Sequence, residues 1–225
     1  GHSIMNLTIN NYNGDYVGLF GGNGGTIKNL TLSNAMVRGD WYAGLLAGDN
    51  WGTISHCFVY GSIDADELVG GIAAVNTGVI ERCYANCDVY GTDTCGVAIG
   101  QNYGQIYLCS TKGSVGGIWE IGGLVGENLE WGSICDCYSM ALVACRQGGS
   151  PSEGAGGLVG NNAGGTISNG YSAGKVISET VFASLGGLIG NSSGESIGAC
   201  FWDVQASGQT SGVGEGFSEG IFGKT

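Results

Sequence analysis

A short pattern recurs along this chain of 225 residues at intervals of 26 to 33 residues. Each copy ends in Gly-x-Ile or a close variant, and most copies have an asparagine shortly before it. The isoleucines are Ile27, Ile54, Ile80, Ile106, Ile134, Ile167 and Ile197, with Ile4 assigned to a truncated eighth copy. A repeat of this length is typical of solenoids and propellers, but a propeller blade needs about 40 residues.

The repeats consist of short, alternating apolar runs bounded by glycine, which predicts strands and not helices. We therefore expect an all-β fold: a parallel β-solenoid, or β-helix, of seven to eight coils with a repeat of about 26 residues. We expect it to be right-handed. Residues 1–225 are interpreted as a single domain, with an irregular C-terminal cap over about 200–225.

Three columns of the repeat predict how coils stack. Stacked asparagine amides are expected to form a ladder along the axis; they are Asn23, Asn50, Asn76, Asn102, Asn128 and Asn162, with Ser192 in the last copy. A Gly-Leu-hydrophobic-Gly element precedes the asparagine, as in 123–126 and 157–160. Its glycines are expected to supply positive φ at a sharp corner. An outward ladder of hydroxyl and aromatic side chains should follow each isoleucine: Thr8, Thr31, Phe58, Tyr84, Ser110, Tyr138, Tyr171 and Phe201.

A further column, three positions after the isoleucine, holds most of the cysteines: Cys57, Cys83, Cys109, Cys137 and Cys200. In-register residues on neighbouring strands lie about 4.8 Å apart, which is wider than the Cβ separation of about 3.8 Å in disulfides. These five are therefore predicted to be buried free thiols. A bridge between Cys87 and Cys95 stays open, as do the states of Cys135 and Cys145.

The motif Gly-Leu-Val-Gly, then Asn, then Gly-x-Ile-x-x-Cys-Tyr-Ser resembles the GLUG repeat, most clearly over 122–139 and 156–173. The resemblance implies an exported bacterial surface protein, such as an adhesin or an IgA-cleaving peptidase, in which the repeat is a stalk or binding region. It therefore implies an extracellular or cell-surface location. The chain contains no His-Glu-x-x-His motif, so peptidase activity is not carried over.

The net charge and the hydrophobic pattern of the chain limit the classes of partner that it can bind. The chain has a formal charge of −12 and seven Lys and Arg, which argues against nucleic acid and anionic membranes. Its apolar runs are shorter than a spanning helix needs, so no membrane insertion is expected. No metal site and no cofactor are predicted, although Ca²⁺ held by acidic side chains stays open. We expect a monomer or part of a larger multidomain chain.

Large aromatic residues break the small-residue turn column in the middle coils, at Trp51, Tyr103 and Trp131. Such rings offer flat apolar faces for sugars. They are the predicted ligand-binding residues, and a polysaccharide or surface glycan is the predicted partner. The alternative is that these rings cover the edge of the coil.

Carboxylates near these rings are the candidate catalytic residues: Glu127, Glu130 and Asp49. A glycosidase needs two carboxyl groups about 5 to 9.5 Å apart. Asp49 and Glu127 are three coils apart, about 14 Å, whereas Glu127 with Glu130 is feasible.

Three functions follow. The leading hypothesis is an exported cell-surface module with a rigid binding face for carbohydrate or adhesion. The second is a carbohydrate-active enzyme, either a glycoside hydrolase or a polysaccharide lyase. The third is a structural stalk. The segment 146–155, which lengthens one repeat and contains the single proline, is predicted to be an excursion from the scaffold.

Overall fold

The computed structural model describes residues 1–146, 154–180, 183–193 and 196–225. It confirms the predicted fold: parallel strands stack into a β-solenoid of about 8 turns with a repeat of about 26 residues. Most of the predicted excursion at 146–155 lies outside the described residues. No helix in the described part of the chain is long and apolar enough to cross a membrane.

The strands of successive coils form four parallel sheets, named A to D. Sheet A contains His2–Met5, Thr8–Asn10, Leu30–Arg38, Phe58–Asp64, Tyr84–Tyr90, Ser110–Gly117, Tyr138–Ser139, Leu142–Cys145, Tyr171–Ser172, Val176–Ser178, Cys200–Asp203 and Ile221–Lys224. Sheet B contains Trp41–Gly44, Glu67–Gly70, Asp93–Gly96, Trp119–Gly122, Gly154–Gly156 and Ser184–Gly186.

Sheets C and D continue the coil after the Gly-Leu-hydrophobic-Gly corner. Sheet C contains Phe20–Asn23, Ala47–Asn50, Ala73–Asn76, Ile99–Asn102, Val125–Leu129, Val159–Ala163, Ile189–Ser192 and Val213–Gly216. Sheet D contains Thr26–Lys28, Thr53–Ser55, Val79–Glu81, Gln105–Tyr107, Ser133–Cys135, Thr166–Ser168 and Ile197–Gly198.

The isoleucine column from Ile27 to Ile197 is in register on sheet D, as predicted. The assignment of the first copy is wrong, because Ile4 pairs with Leu32 on sheet A and Thr8 pairs with Met36. The described chain therefore enters the solenoid on sheet A, beyond the corner that Gly-x-Ile marks in the later coils.

Ile and Cys columns fill the interior. Ile54, Ile80 and Ile134 are completely buried. The five column cysteines are buried free thiols, as predicted, and Cys87, Cys95 and Cys135 are also free. The Cys83 and Cys109 amides donate to the sulfur of the next coil, at 3.5 and 3.4 Å. A thiol is therefore accommodated here both as a small apolar group and as a weak acceptor.

The asparagine ladder is confirmed. Each side-chain Nδ2 donates to the Oδ1 of the next coil, from Asn23 through to Asn162, at 2.7 to 2.8 Å. From Asn50 to Asn162 these side chains are completely buried. Because a buried amide without partners destabilises a fold, the ladder also favours the in-register stacking of neighbouring coils.

The glycines of the Gly-Leu-hydrophobic-Gly corner do not have the predicted positive φ. Close packing between coils requires them instead: a Cβ on Gly123 would lie 2.1 Å from the Gly157 carbonyl oxygen, and one on Gly126 would lie 2.7 Å from that of Gly100. The left-handed conformation is adopted by other residues in two columns. One contains Tyr16, Tyr42, Leu68, Thr94 and Glu120, and the other contains Asn29, His56, Arg82, Leu108, Asp136, Asn169 and Ala199.

The C-terminal segment departs from the repeat, although its last strands still pair with the solenoid. A short helix, Val204–Ser207, begins at Asp203, whose Oδ1 accepts from the amides of Gln205 and Ala206. The helix ends at Gly208, with φ 72°. Trp202 is buried at this end, and its Nε1 donates to the Gln209 carbonyl at 3.2 Å.

Candidate functional site

Sheets B and C meet closely enough to bring two outward columns together. A Cβ on Gly126 of sheet C would lie 2.8 Å from the backbone of Thr94, and one on Gly160 would lie 2.4 Å from that of Glu120. The left-handed column that runs from Tyr16 to Glu120 therefore faces the outward column of sheet C. The latter reads Gly22, Asp49, Val75, Gln101, Glu127, Asn161, Asn191 and Glu215. We call the space between these two columns the B–C groove.

Aromatic rings line the N-terminal end of the B–C groove. The rings of Tyr16 and Tyr42 are stacked, with centroids 4.6 Å apart and an interplanar angle of 8°. The indole of Trp51 lies against the backbone of Gly22 and Gly24 in the preceding coil, where any Cβ would overlap it. Trp51 is nevertheless 57% exposed. One face of this ring therefore packs on the scaffold, and much of the ring remains accessible.

Asp49 shares a depression with two of these aromatic residues. A depression of about 330 Å³ is lined by Tyr16, Gly21, Gly22, Asp49 and Trp51. Burial raises the pKa of the Asp49 carboxyl, and a hydrogen bond from the Asn50 backbone opposes this shift. The Asp49 Oδ1 is buried and accepts no hydrogen bond from the described residues. This end of the groove thus combines a ring face with an acceptor that lacks a donor.

The other two predicted aromatic residues lie further along the solenoid. Tyr103 occupies the same column as Trp51, with Thr77 between them, because each amide donates to the asparagine carbonyl of the preceding coil. Trp131 lies in the turn after Val125–Leu129, where its φ is 70° and its side chain is 81% exposed. There the Gly132 amide donates to Leu129, whereas Gly104 donates to Asn76. Two additional residues in this turn cause the difference.

The three candidate catalytic carboxylates are not brought together. Asp49 and Glu127 are in one column, three coils apart, as predicted. Glu130 is exposed in the turn, and no hydrogen bond within the described residues links it to Glu127. Instead, Glu127 faces the groove, where it accepts from Gln101 Nε2 at 2.8 Å and from Asn161 Nδ2 at 3.2 Å.

The carboxylate that does approach Glu127 is Glu120. The Asn161 Nδ2 donates to Oε1 of both, at 3.3 Å for Glu120 and 3.2 Å for Glu127. The Thr94 hydroxyl donates to the other Glu120 oxygen at 2.8 Å. Burial, followed by the charge of Glu127, raises the pKa of Glu120. Burial and a neighbouring like charge both disfavour the ionised form of a carboxyl group.

Glu120 is not among the candidate residues that the sequence identified. The available signal was its position in the 26-residue column through Tyr42, Leu68 and Thr94. That spacing could have placed it on the groove, but not beside Glu127. Among the described residues, no group of three or more His, Cys, Asp or Glu side chains is arranged to hold a metal ion.

Comparison with known proteins gives one local likeness. The chain is 42% identical over 65 residues to halomucin of Haloquadratum walsbyi, a match that covers 28% of this chain and 1% of halomucin. No protein-family profile matches the chain. No solved structure matches it either. The fold is therefore established by the geometry of the coils: the chain is a β-solenoid repeat module.

Proposed function

We propose that this chain is an exported, cell-surface repeat module of the GLUG type that binds neutral polysaccharide in the B–C groove. One observation carries the proposal: the buried, unpartnered Oδ1 of Asp49 lies beside the exposed ring of Trp51, in a depression that Tyr16 also lines. Export and surface display are supported by the GLUG resemblance and by the local likeness to halomucin.

The chemistry of this end suits a sugar. A pyranose ring offers apolar C–H groups to an aromatic face and hydroxyl donors to an orphan acceptor. The net charge of −12 opposes the binding of acidic polymers. The groove continues past Gln101, Glu127 and Asn161, whose carboxylate and amide groups can accept from or donate to further hydroxyls. A polymer is therefore the favoured ligand.

The test is binding to a panel of neutral and acidic polysaccharides by affinity electrophoresis, with Trp51→Ala and Trp131→Ala compared with Tyr171→Ala. Tyr171 lies on the outward ladder of sheet A, away from the groove. Loss of a stacked ring should weaken binding by about 1 to 3 kcal/mol. Unchanged binding by both Trp variants would instead favour the structural stalk. Chemical unfolding of each variant separates lost binding from lost stability.

A second candidate, glycoside hydrolysis, is favoured by the Glu120–Glu127 pair. A carboxyl group with a raised pKa next to a carboxylate is the arrangement that glycosidases use for acid catalysis. Its test is the release of reducing ends from the polysaccharides that bind. Glu120→Gln and Glu127→Gln should each abolish release without abolishing retention. If the parent protein retains a polysaccharide but releases no reducing ends from it, catalysis is contradicted and the binding function remains.

A further inference from the structure

Sheet A is interrupted along a line that crosses its first coils. The first coil is split into His2–Met5 and Thr8–Asn10, which pair with the two halves of Leu30–Arg38. The register between Leu30–Arg38 and Phe58–Asp64 shifts between Leu32 and Ala35, which marks a β-bulge. Asn6 and Asn34 at this line have left-handed φ values of 59° and 52°. The interruption is therefore built into the backbone.

A depression of about 560 Å³ lies on the outer face at this line. Its floor is bare backbone, because the lining includes Ala35 and Gly61, and a Cβ on Gly61 would lie 2.2 Å from the Ala35 carbonyl oxygen. Its polar walls include Asn6, Asn34, Tyr60, Ser62, Asn86 and Asp88. The volume is in the range of small-ligand sites, about 300 to 1,000 Å³.

Some side chains of this wall are held in position by contacts within the chain, and others have polar groups that make no hydrogen bond with its described part. The Asn34 Nδ2 donates to Asn6 Oδ1 at 2.8 Å, and the Ser114 hydroxyl donates to Asp88 at 2.7 Å. The Tyr60 ring contacts the edge of Tyr84, with centroids 5.8 Å apart. By contrast, the side chains of Tyr60, Ser62 and Asn86 make no hydrogen bond with the described part of the chain. Uncommitted donors and acceptors thus stand on a fixed frame.

The side-chain chemistry selects among ligand classes. An anion is disfavoured, because Asp88 is the charged residue in the lining and no lining residue is basic. A peptide strand cannot add at this point, because Phe58–Asp64 and Tyr84–Tyr90 are each paired on both sides. Amide and hydroxyl groups both donate and accept hydrogen bonds, as sugar hydroxyls do. A short neutral oligosaccharide matches this lining best.

We propose that this depression on sheet A is a second saccharide site, separate from the B–C groove. The inference shares only its ligand class with the proposed function, since none of the six wall residues named above lies in the groove. Two sites fixed on one rigid solenoid would let a single chain bridge two glycan strands, and bridging raises overall avidity without new contacts.

The test is calorimetric titration of the full chain with neutral tetrasaccharides of glucose, xylose and mannose, with tetragalacturonate as the acidic comparison. Asn86→Leu keeps the side-chain size and removes the hydrogen bonds. Asn10→Leu is the matched control, because Asn10 is an exposed strand residue of sheet A that is not part of this lining. Thermal unfolding of each variant checks that the fold is retained.

We expect two sites per chain, of which Asn86→Leu weakens one at least tenfold and Trp51→Ala weakens the other. Asn10→Leu should bind as the parent does. Binding that is sensitive to Asn86→Leu alone would support this inference and contradict the groove. Binding that is sensitive to Trp51→Ala alone, binding of tetragalacturonate alone, or no binding of any probe would overturn the inference.

Discussion

Two neighbouring columns on the same strands of sheet C behave in opposite ways. The asparagine column is almost unchanged from Asn23 to Asn162, whereas the residue immediately before it is successively Gly22, Asp49, Val75, Gln101, Glu127 and Asn161. The first column is buried between coils, and the second faces the B–C groove. Position in the coil, and not position along the chain, decides which residues are free to vary.

The difference separates residues that hold the coils together from residues that are available to contact a ligand. Each asparagine in the ladder donates a hydrogen bond to one neighbour and accepts one from the other. Replacing it therefore removes a hydrogen bond from each of the two adjacent coils. A residue in the groove has partners in some coils and none in others, so its replacement affects mainly local contacts. The predictions below test this division, from the largest expected effect to the smallest.

Asn102→Ala should cause the largest loss of stability. It removes the side-chain acceptor of the Asn76 Nδ2, which keeps only its bond to the Gly78 carbonyl, and it removes the donor to the Asn128 Oδ1 in a buried corner. We expect a cost of about 3 to 5 kcal/mol in the free energy of unfolding, measured by urea denaturation. The matched control is Gln101→Ala, which removes one hydrogen bond in the groove and should cost about 1 kcal/mol or less. Equal losses would show that the two columns do not differ as proposed.

Gly96→Ala should rank second. Its Cβ would lie 2.0 Å from the Ile99 carbonyl oxygen, so the backbone must move, at a cost of about 1 to 3 kcal/mol. Leu108→Gly is the comparison, because Leu108 is 45% exposed and has a φ of 54°. Glycine relieves the left-handed strain there and loses more chain entropy, so we expect a change within about 1 kcal/mol. A larger loss for Leu108→Gly than for Gly96→Ala would contradict the packing explanation.

Glu120→Gln should raise the melting temperature at pH 7 by about 1 to 3 °C. Because the pKa of Glu120 is raised in the folded chain, its contribution to stability is fully present below its unfolded pKa. That contribution is lost as the pH rises through the folded pKa. The gain from the substitution should therefore vanish below about pH 4. A gain in melting temperature that is independent of pH would mean that ionisation of Glu120 does not destabilise the fold.

Cys135→Ser should leave stability nearly unchanged, within about 0.5 kcal/mol. Cys135 is partly exposed, whereas the five column cysteines are at most 2% exposed. Burial also raises the pKa of Cys87 to about 12, which keeps that thiol protonated and unreactive. Labelling of the native chain with a disulfide reagent should show one fast thiol, and Cys135→Ser should remove it. Rapid labelling of several thiols would contradict the closed interior.

The sequence was sufficient to predict the solenoid, because a column that recurs every 26 residues must stack. Ile54, Asn76 and Cys109 occupy the predicted positions for that reason. The first coil was assigned incorrectly because Ile4 follows no corner that could fix its register. The predicted role of the corner glycines was wrong because a side chain at Gly123 would clash with the Gly157 carbonyl oxygen, which only the stacking of the next coil places there.

The candidate site was less predictable than the fold. Trp51 was identified because it breaks its column and Asp49 because it lies near that ring in the sequence, and the structure places both on one depression. The proximity of Glu120 to Glu127 depends on how closely sheets B and C approach each other and on the reach of Asn161, which lies one coil further on. Such contacts join residues of different columns, and a column-by-column comparison does not contain them.

The asparagine ladder also gives the molecule a direction. All five links run the same way, with each Nδ2 facing the C-terminal neighbour. Amide dipoles aligned in this way add, and hydrogen-bonded chains polarise their own members, so the inner links are stronger than the outer ones. Loss of structure therefore begins at the ends of the ladder and advances inward. A junction that joined two such ladders head to head would set acceptor against acceptor, and only head-to-tail stacking of coils preserves the ladder.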